Sequence, residues 1–278
     1  MFPALLALAH AAPAQGMGEW SASVVPAGPV TLKAELNVDE VGIAASDMVY
    51  PAPGVAGLIV AIVTHGVIMS AAQKEQLAQK QREVDEKLAA YQPLLADFDT
   101  QRLLSDSFQD LASNEKEGAR IADEKSAGLI VESTPEFFVS LDERALVLIN
   151  KVSVRPAGAG SDPVYQNIVK IVSDPIKGAE PQQAWVAENG RLLKRQATWL
   201  LSESIGISKS MAKHDAAAKG AEKTYRYSHG GIQKMERAKY ISGDCKRTLV
   251  MTLRGTLLSV PEVASGGCVG QQLAAAQK

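Results

Sequence analysis

Apolar and polar residues alternate between Val30 and Val38. Side chains at every second position of a strand lie on the same face, so this segment predicts a half-buried β-strand. The apolar set is Val30, Leu32, Ala34, Leu36 and Val38.

Residues 73–112 follow a helical pattern. Leu77, Val84, Tyr91 and Phe98 recur every seven residues, which predicts an amphipathic helix with one apolar stripe. Pro93 lacks a backbone N–H, so we expect it to kink this helix or to start a new one. The stripe is short for a coiled coil, and packing of the helix on a sheet is the more ordinary interpretation.

The second half of the chain alternates between β-rich and helical patterns. β-rich runs fill 128–175, and the loop Pro156–Pro163 is expected to join two antiparallel strands. A helix is predicted over 180–207, with an interruption at Asn189-Gly190, and further strands are predicted up to Pro261. Tight turns are expected at His229–Gly231 and Ser242–Asp244.

This order of elements predicts an α+β fold (mixed α/β layers), with a mostly antiparallel sheet packed against long helices. We expect one domain over 15–262, preceded by a leader at 1–14 and followed by a flexible tail at 263–278. The domain would include the apolar segment 55–72 and the amphipathic helix 73–112.

The apolar segment Val55–Ala72 has eighteen residues and no charge, which is just enough for one crossing of a bilayer. His65 at its centre makes a crossing costly. A crossing would also separate the predicted strand at 30–38 from the remaining strands. A buried core helix is therefore favoured, and a single membrane span or a peripheral membrane contact are the alternatives.

The first residues resemble a secretory leader, with an apolar run at Phe2–Ala11 and small-residue cleavage patterns up to Ala14. No Lys or Arg precedes Lys33, so the basic segment of a signal peptide is missing. A signal peptide, and hence a periplasmic or secreted protein, is the favoured interpretation. The alternative is a disordered leader rich in alanine and proline.

The composition is that of a globular protein, with 46% hydrophobic and 22% charged residues and a net charge of −2. The absence of a basic excess argues against nucleic acid as a partner. The two cysteines, Cys245 and Cys268, predict a disulfide bond in an oxidising compartment; two unrelated thiols are the alternative.

Several phrases resemble those of uncharacterised secreted or envelope proteins of Gram-negative bacteria. They are YPAPGVAGLIVAIVTHGVI, FFVSLDERALVLINKVSV, DPVYQNIVKIVSDP and TLRGTLLSVP, and together they extend from Tyr50 to Pro261. The resemblance implies an envelope location. It assigns no site residues, because the function of that family is unknown.

Catalytic motifs are scarce in this sequence. Ser210 and Lys213 have the Ser-x-x-Lys spacing of serine acyl-enzymes, but the partner motifs of those enzymes are missing. His229 lies beside two tyrosines and before Gly-Gly, where an ordinary turn residue is the more economical interpretation. We therefore expect no catalytic residue, no cofactor and no metal site.

The sequence favours a non-enzymatic envelope protein with a binding, assembly or structural role, acting through a protein partner or through self-association. One alternative is a single-pass protein of the inner membrane anchored by Val55–Ala72, which would also account for membrane contact. A further alternative is an unrecognised serine hydrolase that uses Ser210 or His229.

Overall fold

A computed structural model describes residues 20–35, 75, 78–79, 82–83, 86–114, 119–123, 126, 128–158, 162–213, 221–244 and 246–262. The predicted leader, the segment Val55–Ala72, the tail and both cysteines lie outside these residues. In chain order the described elements are β1 (Trp20–Val24), β2 (Leu32–Ala34), α1 (Gln92–Leu95), α2 (Thr100–Asn114), β3 (Ala119–Ile121), β4 (Leu129–Val139), β5 (Leu146–Pro156), β6 (Tyr165–Val172), α3 (Pro181–Lys213), β7 (Lys223–His229), β8 (Ile232–Gly243), β9 (Arg247–Thr252) and β10 (Leu257–Pro261).

The ten described strands form one mixed sheet in the order β3-β1-β4-β5-β6-β10-β9-β8-β7. Strands β1 and β2 pair with the same edge of β4. Strand β1 lies beside the first half of β4, and β2 lies beside its last residues. The pairings of β1 with β3 and β4, of β2 with β4, and of β6 with β10 are parallel. The other five pairings are antiparallel, and they include the long ladder between β4 and β5.

The α+β class is confirmed, but the prediction of long helices is confirmed only in part, because α3 alone among the described helices is long. The predicted helix over 73–112 is interrupted at residues 90–91 and 96–99. Pro93 lies in the first turn of α1, where a missing N–H costs no helical hydrogen bond, so the proline starts a new helix.

Helix α3 is also broken near its start. Glu188, Asn189 and Gly190 have positive φ angles of 52°, 54° and 71°, and these left-handed residues end one short helix before a longer one begins. This confirms the interruption predicted from Asn189-Gly190. None of the described helices is both long and apolar enough to cross a membrane.

The two faces of the sheet carry separate cores. On one face, alternate residues of the central strands, such as Leu148 and Ile171, pack with α2 and α3 against the fully buried Trp185. On the other face, the β7–β8 hairpin curls over one end of the sheet. Tyr225 and Tyr227 of this hairpin pack on residues of β5, β6, β9 and β10 and form a second, smaller core.

Candidate functional site

His229 ends strand β7, and its side chain enters the smaller core together with Tyr225 and Tyr227, which lie at alternate positions on the same face. Its Nε2 atom lies 2.7 Å from Oε2 of Glu35, the residue after β2, and the His229 side chain is 2% exposed. Its Nδ1 atom is buried and has no hydrogen-bond partner among the described residues. The imidazole therefore joins the hairpin to the N-terminal strands.

Glu35 is the carboxylate of this pair. Burial raises the pKa of Glu35, but the hydrogen bond and charge of His229, with the nearby charges of Lys234 and Lys170, outweigh it, and the net pKa is below the ordinary value. Nζ of Lys234 lies 3.9 Å from the same carboxylate oxygen. The charged form of Glu35 is thus the stable one in the folded protein.

A second carboxylate holds the turn that follows His229. Asp142, in the β4–β5 turn, accepts hydrogen bonds from the backbone N–H of Gly231 and of Arg144 and from the hydroxyl of Ser140. Burial raises the pKa of Asp142, but these hydrogen bonds outweigh it and lower the pKa overall. The predicted turn at His229–Gly231 is confirmed, and it docks on another turn of the sheet.

Ser210 does not lie near this cluster. It belongs to the last turn of α3, between Lys209 and Lys213, whose ammonium groups lie 5.8 Å and 5.6 Å from the centre of the Trp20 ring. Trp20 pairs with the first residue of β4, whereas Glu35 donates its N–H to Val139, the last residue of that strand. An eleven-residue strand is roughly 35 Å long, so Ser210 and His229 lie near opposite ends of the sheet.

A groove of about 520 Å³, lined by both polar and apolar side chains, lies on the face of the sheet that carries the hairpin, beyond the end that the hairpin covers. We call it the sheet-face groove. Two cross-strand rows form its floor. The registers of β4, β5 and β6 align Glu132 with Ser153 and Gln166, and Thr134 with Lys151 and Ile168. Val25 and the β9–β10 turn also line the groove.

The sheet-face groove has more positive than negative charge that is not neutralised by an ion pair. Glu132 is neutralised by Arg155, whose guanidinium Nη2 lies 2.7 Å from its carboxylate. Lys151 on the floor and Arg254 in the β9–β10 turn form no ion pair with another described residue. The groove can therefore accept an anionic group between two cations, with hydroxyl and amide groups around it.

A second groove, of about 670 Å³, lies between α2, α3 and the start of β9. Its wall includes Trp199, on which the guanidinium of Arg247 stacks at 4.8 Å from the ring centre. Arg247 also donates to the backbone oxygens of Val172 and Ser259, so its hydrogen bonds connect β9 to β6 and β10. This groove is consequently less available to a ligand than the sheet-face groove.

Sequence reasoning did not identify the groove residues. The alternation of Lys151, Ser153 and Arg155 with buried Val152 and Val154 indicates a solvent-facing side of β5. It does not indicate which strands lie beside β5, and the groove depends on that arrangement. The sequence-predicted disulfide pair, Cys245 and Cys268, lies outside the described residues, so that pairing stays a prediction.

Among the described residues, no group of three His, Cys, Asp or Glu side chains has an arrangement that could hold a metal ion. Comparisons with protein-family models, curated proteins and solved structures found no match to this chain.

Proposed function

We propose that this protein is a non-enzymatic binding protein of the bacterial envelope, and that the sheet-face groove holds an extended, acidic segment of a protein partner. The observation that carries the proposal is the pair of cations, Lys151 and Arg254, in a groove whose floor is otherwise uncharged apart from the neutralised Glu132. Binding surfaces of complementary charge give specificity and fast association.

The rigidity of the groove supports this proposal. Its floor consists of side chains on paired strands, and a site built on strands needs little ordering when a ligand binds. An extended partner could also use the hydroxyl and amide groups of Thr134, Ser153 and Gln166, which are spaced by the regular separation of the strands.

The pairing of the N-terminal strands argues against the single-pass alternative. Residues 20–35 and 128–139 belong to the same sheet through the pairings of β1 and β2 with β4. One membrane crossing between residues 35 and 128 would place paired strands on opposite sides of the bilayer. A peripheral contact of Val55–Ala72 with the membrane is compatible with the pairing.

The hydrolase alternative receives less support. A serine nucleophile needs a base within hydrogen-bond reach, and Ser210 and His229 lie near opposite ends of the sheet. The Nε2 atom of His229 is already occupied by Glu35. We therefore do not assign a catalytic role to either residue.

Site-specific photocrosslinking in the native host tests the groove. A photoreactive residue at Gln166, which is exposed on the groove floor, should give a discrete adduct with an envelope protein. The same residue at Gln183, which is exposed on α3, is the matched control and should not. Lys151→Gln with Arg254→Gln should weaken the adduct at Gln166, whereas Lys177→Gln, an exposed cation outside the groove, should not.

An adduct at Gln166 that the double substitution leaves unchanged would contradict the charge-based part of the proposal. Similar adducts at Gln166 and Gln183 would show that the partner does not bind specifically in the sheet-face groove. The location is tested separately, by fractionation of the host and N-terminal sequencing of the mature chain. Alkylation of the unfolded protein with and without prior reduction tests the disulfide, and two free thiols in exported protein would exclude it.

A further inference from the structure

The β7–β8 hairpin has a second face that points away from the smaller core. Side chains alternate along both strands, so the residues between the buried positions share this outward face. We call it the hairpin outer face. It consists of Thr224, Arg226, Ser228, Gln233, Met235, Arg237 and Lys239.

This face carries three cations, and the carboxylate of Glu222, the residue before β7, lies beside one of them. Arg226 lies directly across from Met235, and Arg237 lies two residues further along β8, on the diagonal from Arg226. Arg226 and Lys239 form no ion pair with another described residue. Arg237 has one partner, Glu222, at 3.5 Å, and the Arg237 side chain is 67% exposed. A chain of net charge −2 therefore concentrates positive charge on one hairpin.

An apolar side chain lies within this positive surface. Met235 is 65% exposed, the largest exposure among the large apolar residues that the structure describes. Methionine is flexible and apolar, and its transfer from water to an apolar surrounding is favourable. Cations around an exposed apolar residue match a lipid surface, where phosphate groups and the acyl boundary are adjacent.

The hairpin is fixed in position on the sheet. Strand β7 is the last strand in the order of the sheet, and a bridge between Tyr227 and Glu262 connects it to the end of the described chain. The hairpin is held rigid from behind by the His229–Glu35 contact and by the bond from Gly231 to Asp142. A rigid projection can bring its cations to a membrane together.

We propose that the hairpin outer face docks the protein on a membrane surface that contains anionic phospholipids. Arg226, Arg237 and Lys239 contact the lipid phosphates, and Met235 enters the boundary between headgroups and acyl chains. This docking is independent of the sheet-face groove, because Lys151 and Arg254 take no part in it.

Sedimentation with lipid vesicles tests the proposal on the full chain. Vesicles of two parts phosphatidylcholine to one part phosphatidylglycerol should bind the protein, and vesicles of phosphatidylcholine alone should bind it much more weakly. Each cation near an anionic surface contributes about fivefold to binding, so Arg226→Gln with Arg237→Gln and Lys239→Gln should weaken binding by about a hundredfold. Added salt should weaken wild-type binding steeply and the triple variant slightly.

Two further variants separate docking from a general effect of charge. Arg191→Gln with Arg195→Gln and Lys177→Gln removes the same charge from exposed positions outside the hairpin and should leave binding within about twofold of wild type. Met235→Ser should weaken binding by about fivefold while leaving the slope of the salt dependence unchanged. Circular dichroism of each variant establishes that the fold is retained.

Equal binding to the two kinds of vesicle would overturn the proposal, as would equal losses in the hairpin triple variant and its control. Binding of an acidic peptide by the hairpin cations, with no binding to anionic vesicles, would overturn it in favour of an acidic protein partner. Loss of vesicle binding in the Lys151→Gln, Arg254→Gln variant alone would assign the membrane contact to the groove instead.

Discussion

At the scale of single residues, the Glu35–His229 pair joins two parts of the chain that are 194 positions apart. His229 is almost fully buried and Glu35 is largely buried. Both side chains therefore lose contact with water on folding and gain one short polar contact in a region of low dielectric constant. The sequence predicts the turn at His229. It contains no local signal for the carboxylate that the imidazole meets.

Glu35→Gln should reduce stability and alter its dependence on pH. Because the folded-state pKa of Glu35 is lowered, its contribution is complete above the unfolded value near 4.5 and is lost as the pH falls through the folded pKa. We expect a loss of about 2 kcal/mol at pH 7, and a smaller difference from wild type in acid. Urea unfolding of the variant and the wild type at several pH values measures the difference in stability.

The matched control for that variant is Asp162→Asn, which removes the same charge from an exposed loop position. Its unfolding midpoint should follow the wild type across the pH range. A constant difference between Glu35→Gln and wild type from pH 7 down to acid would contradict the ionic role of Glu35.

Gly230→Ala should be more destabilising than Gly255→Ala. Both glycines have positive φ angles, of 67° and 83°, so each substitution costs about 1 kcal/mol in backbone strain. A Cβ atom at Gly255 meets nothing, whereas at Gly230 it would overlap the Asp142 carboxylate, which adds about 2 kcal/mol. Thermal unfolding of the two variants measures the difference, and equal losses would show that Asp142 can move aside without cost.

At the scale of elements, the contact between the sheet and α3 includes a buried amide. Asn150 of β5 is 0% exposed, and its Nδ2 atom donates to the hydroxyls of Ser133 on β4 and Ser204 on α3, at 3.2 Å and 2.9 Å. An asparagine in the middle of an apolar strand fixes how the helix lies across the sheet, because only one alignment gives both N–H groups of the amide an acceptor.

Substitution of both serines should cost more than the sum of the single substitutions. Ser133→Ala and Ser204→Ala should each lower the free energy of unfolding by about 1 kcal/mol, because each removes one of the two acceptors of the Asn150 amide. The double variant leaves the amide without either acceptor and should cost a further 1 kcal/mol or more, on the order expected for an unsatisfied buried donor. A double-mutant cycle measures this coupling.

Ser107→Ala combined with Ser204→Ala is the control cycle, because Ser107 bonds to the backbone oxygens of Leu103 and Thr198 instead. The two effects should add. Coupling of similar size in both cycles would show a general loosening of the helix rather than a shared amide.

The local elements were largely predictable, because their signals are local. Val30, Leu32 and Ala34 are buried as their alternation predicts, and α3 breaks at Asn189-Gly190. Strand β4 runs from Leu129 to Val139 through Pro135, although proline has no N–H to donate to a neighbouring strand. The parallel pairing of β6 with β10 joins strands about 90 residues apart along the chain, and no nearby residue specifies it.

At the scale of the whole molecule, the sheet separates two cores of unequal size. The helix-side core includes the largest buried side chains, whereas the hairpin-side core has fewer residues, mostly valine, alanine and tyrosine, at one end of the sheet. Parts of a protein with fewer apolar contacts open at lower free energy. We therefore expect the β7–β8 hairpin to open at a lower free energy than the helix-covered part of the sheet.

Hydrogen exchange should resolve this difference. Backbone amides of β7 and β8 should exchange faster than those of β5 and β6, which are covered by α3. Gly230→Ala should accelerate exchange in β7 and β8 and leave β5 nearly unchanged. Mass spectrometry of peptic fragments measures both, and a uniform acceleration would indicate that the molecule opens as a single unit.

The pairing of β1 and β2 with β4 also bears on how the molecule can be divided. Glu35 is hydrogen-bonded to Val139 of β4 and Tyr91 packs in the helix-side core, so residues 20–35 and the chain from Tyr91 onward belong to one folded unit. A polypeptide cut within 36–74 would leave residues 20–35 hydrogen-bonded in the sheet. We expect the two pieces to elute together in gel filtration and to separate only in denaturant, so the protein can serve as a two-fragment complementation pair.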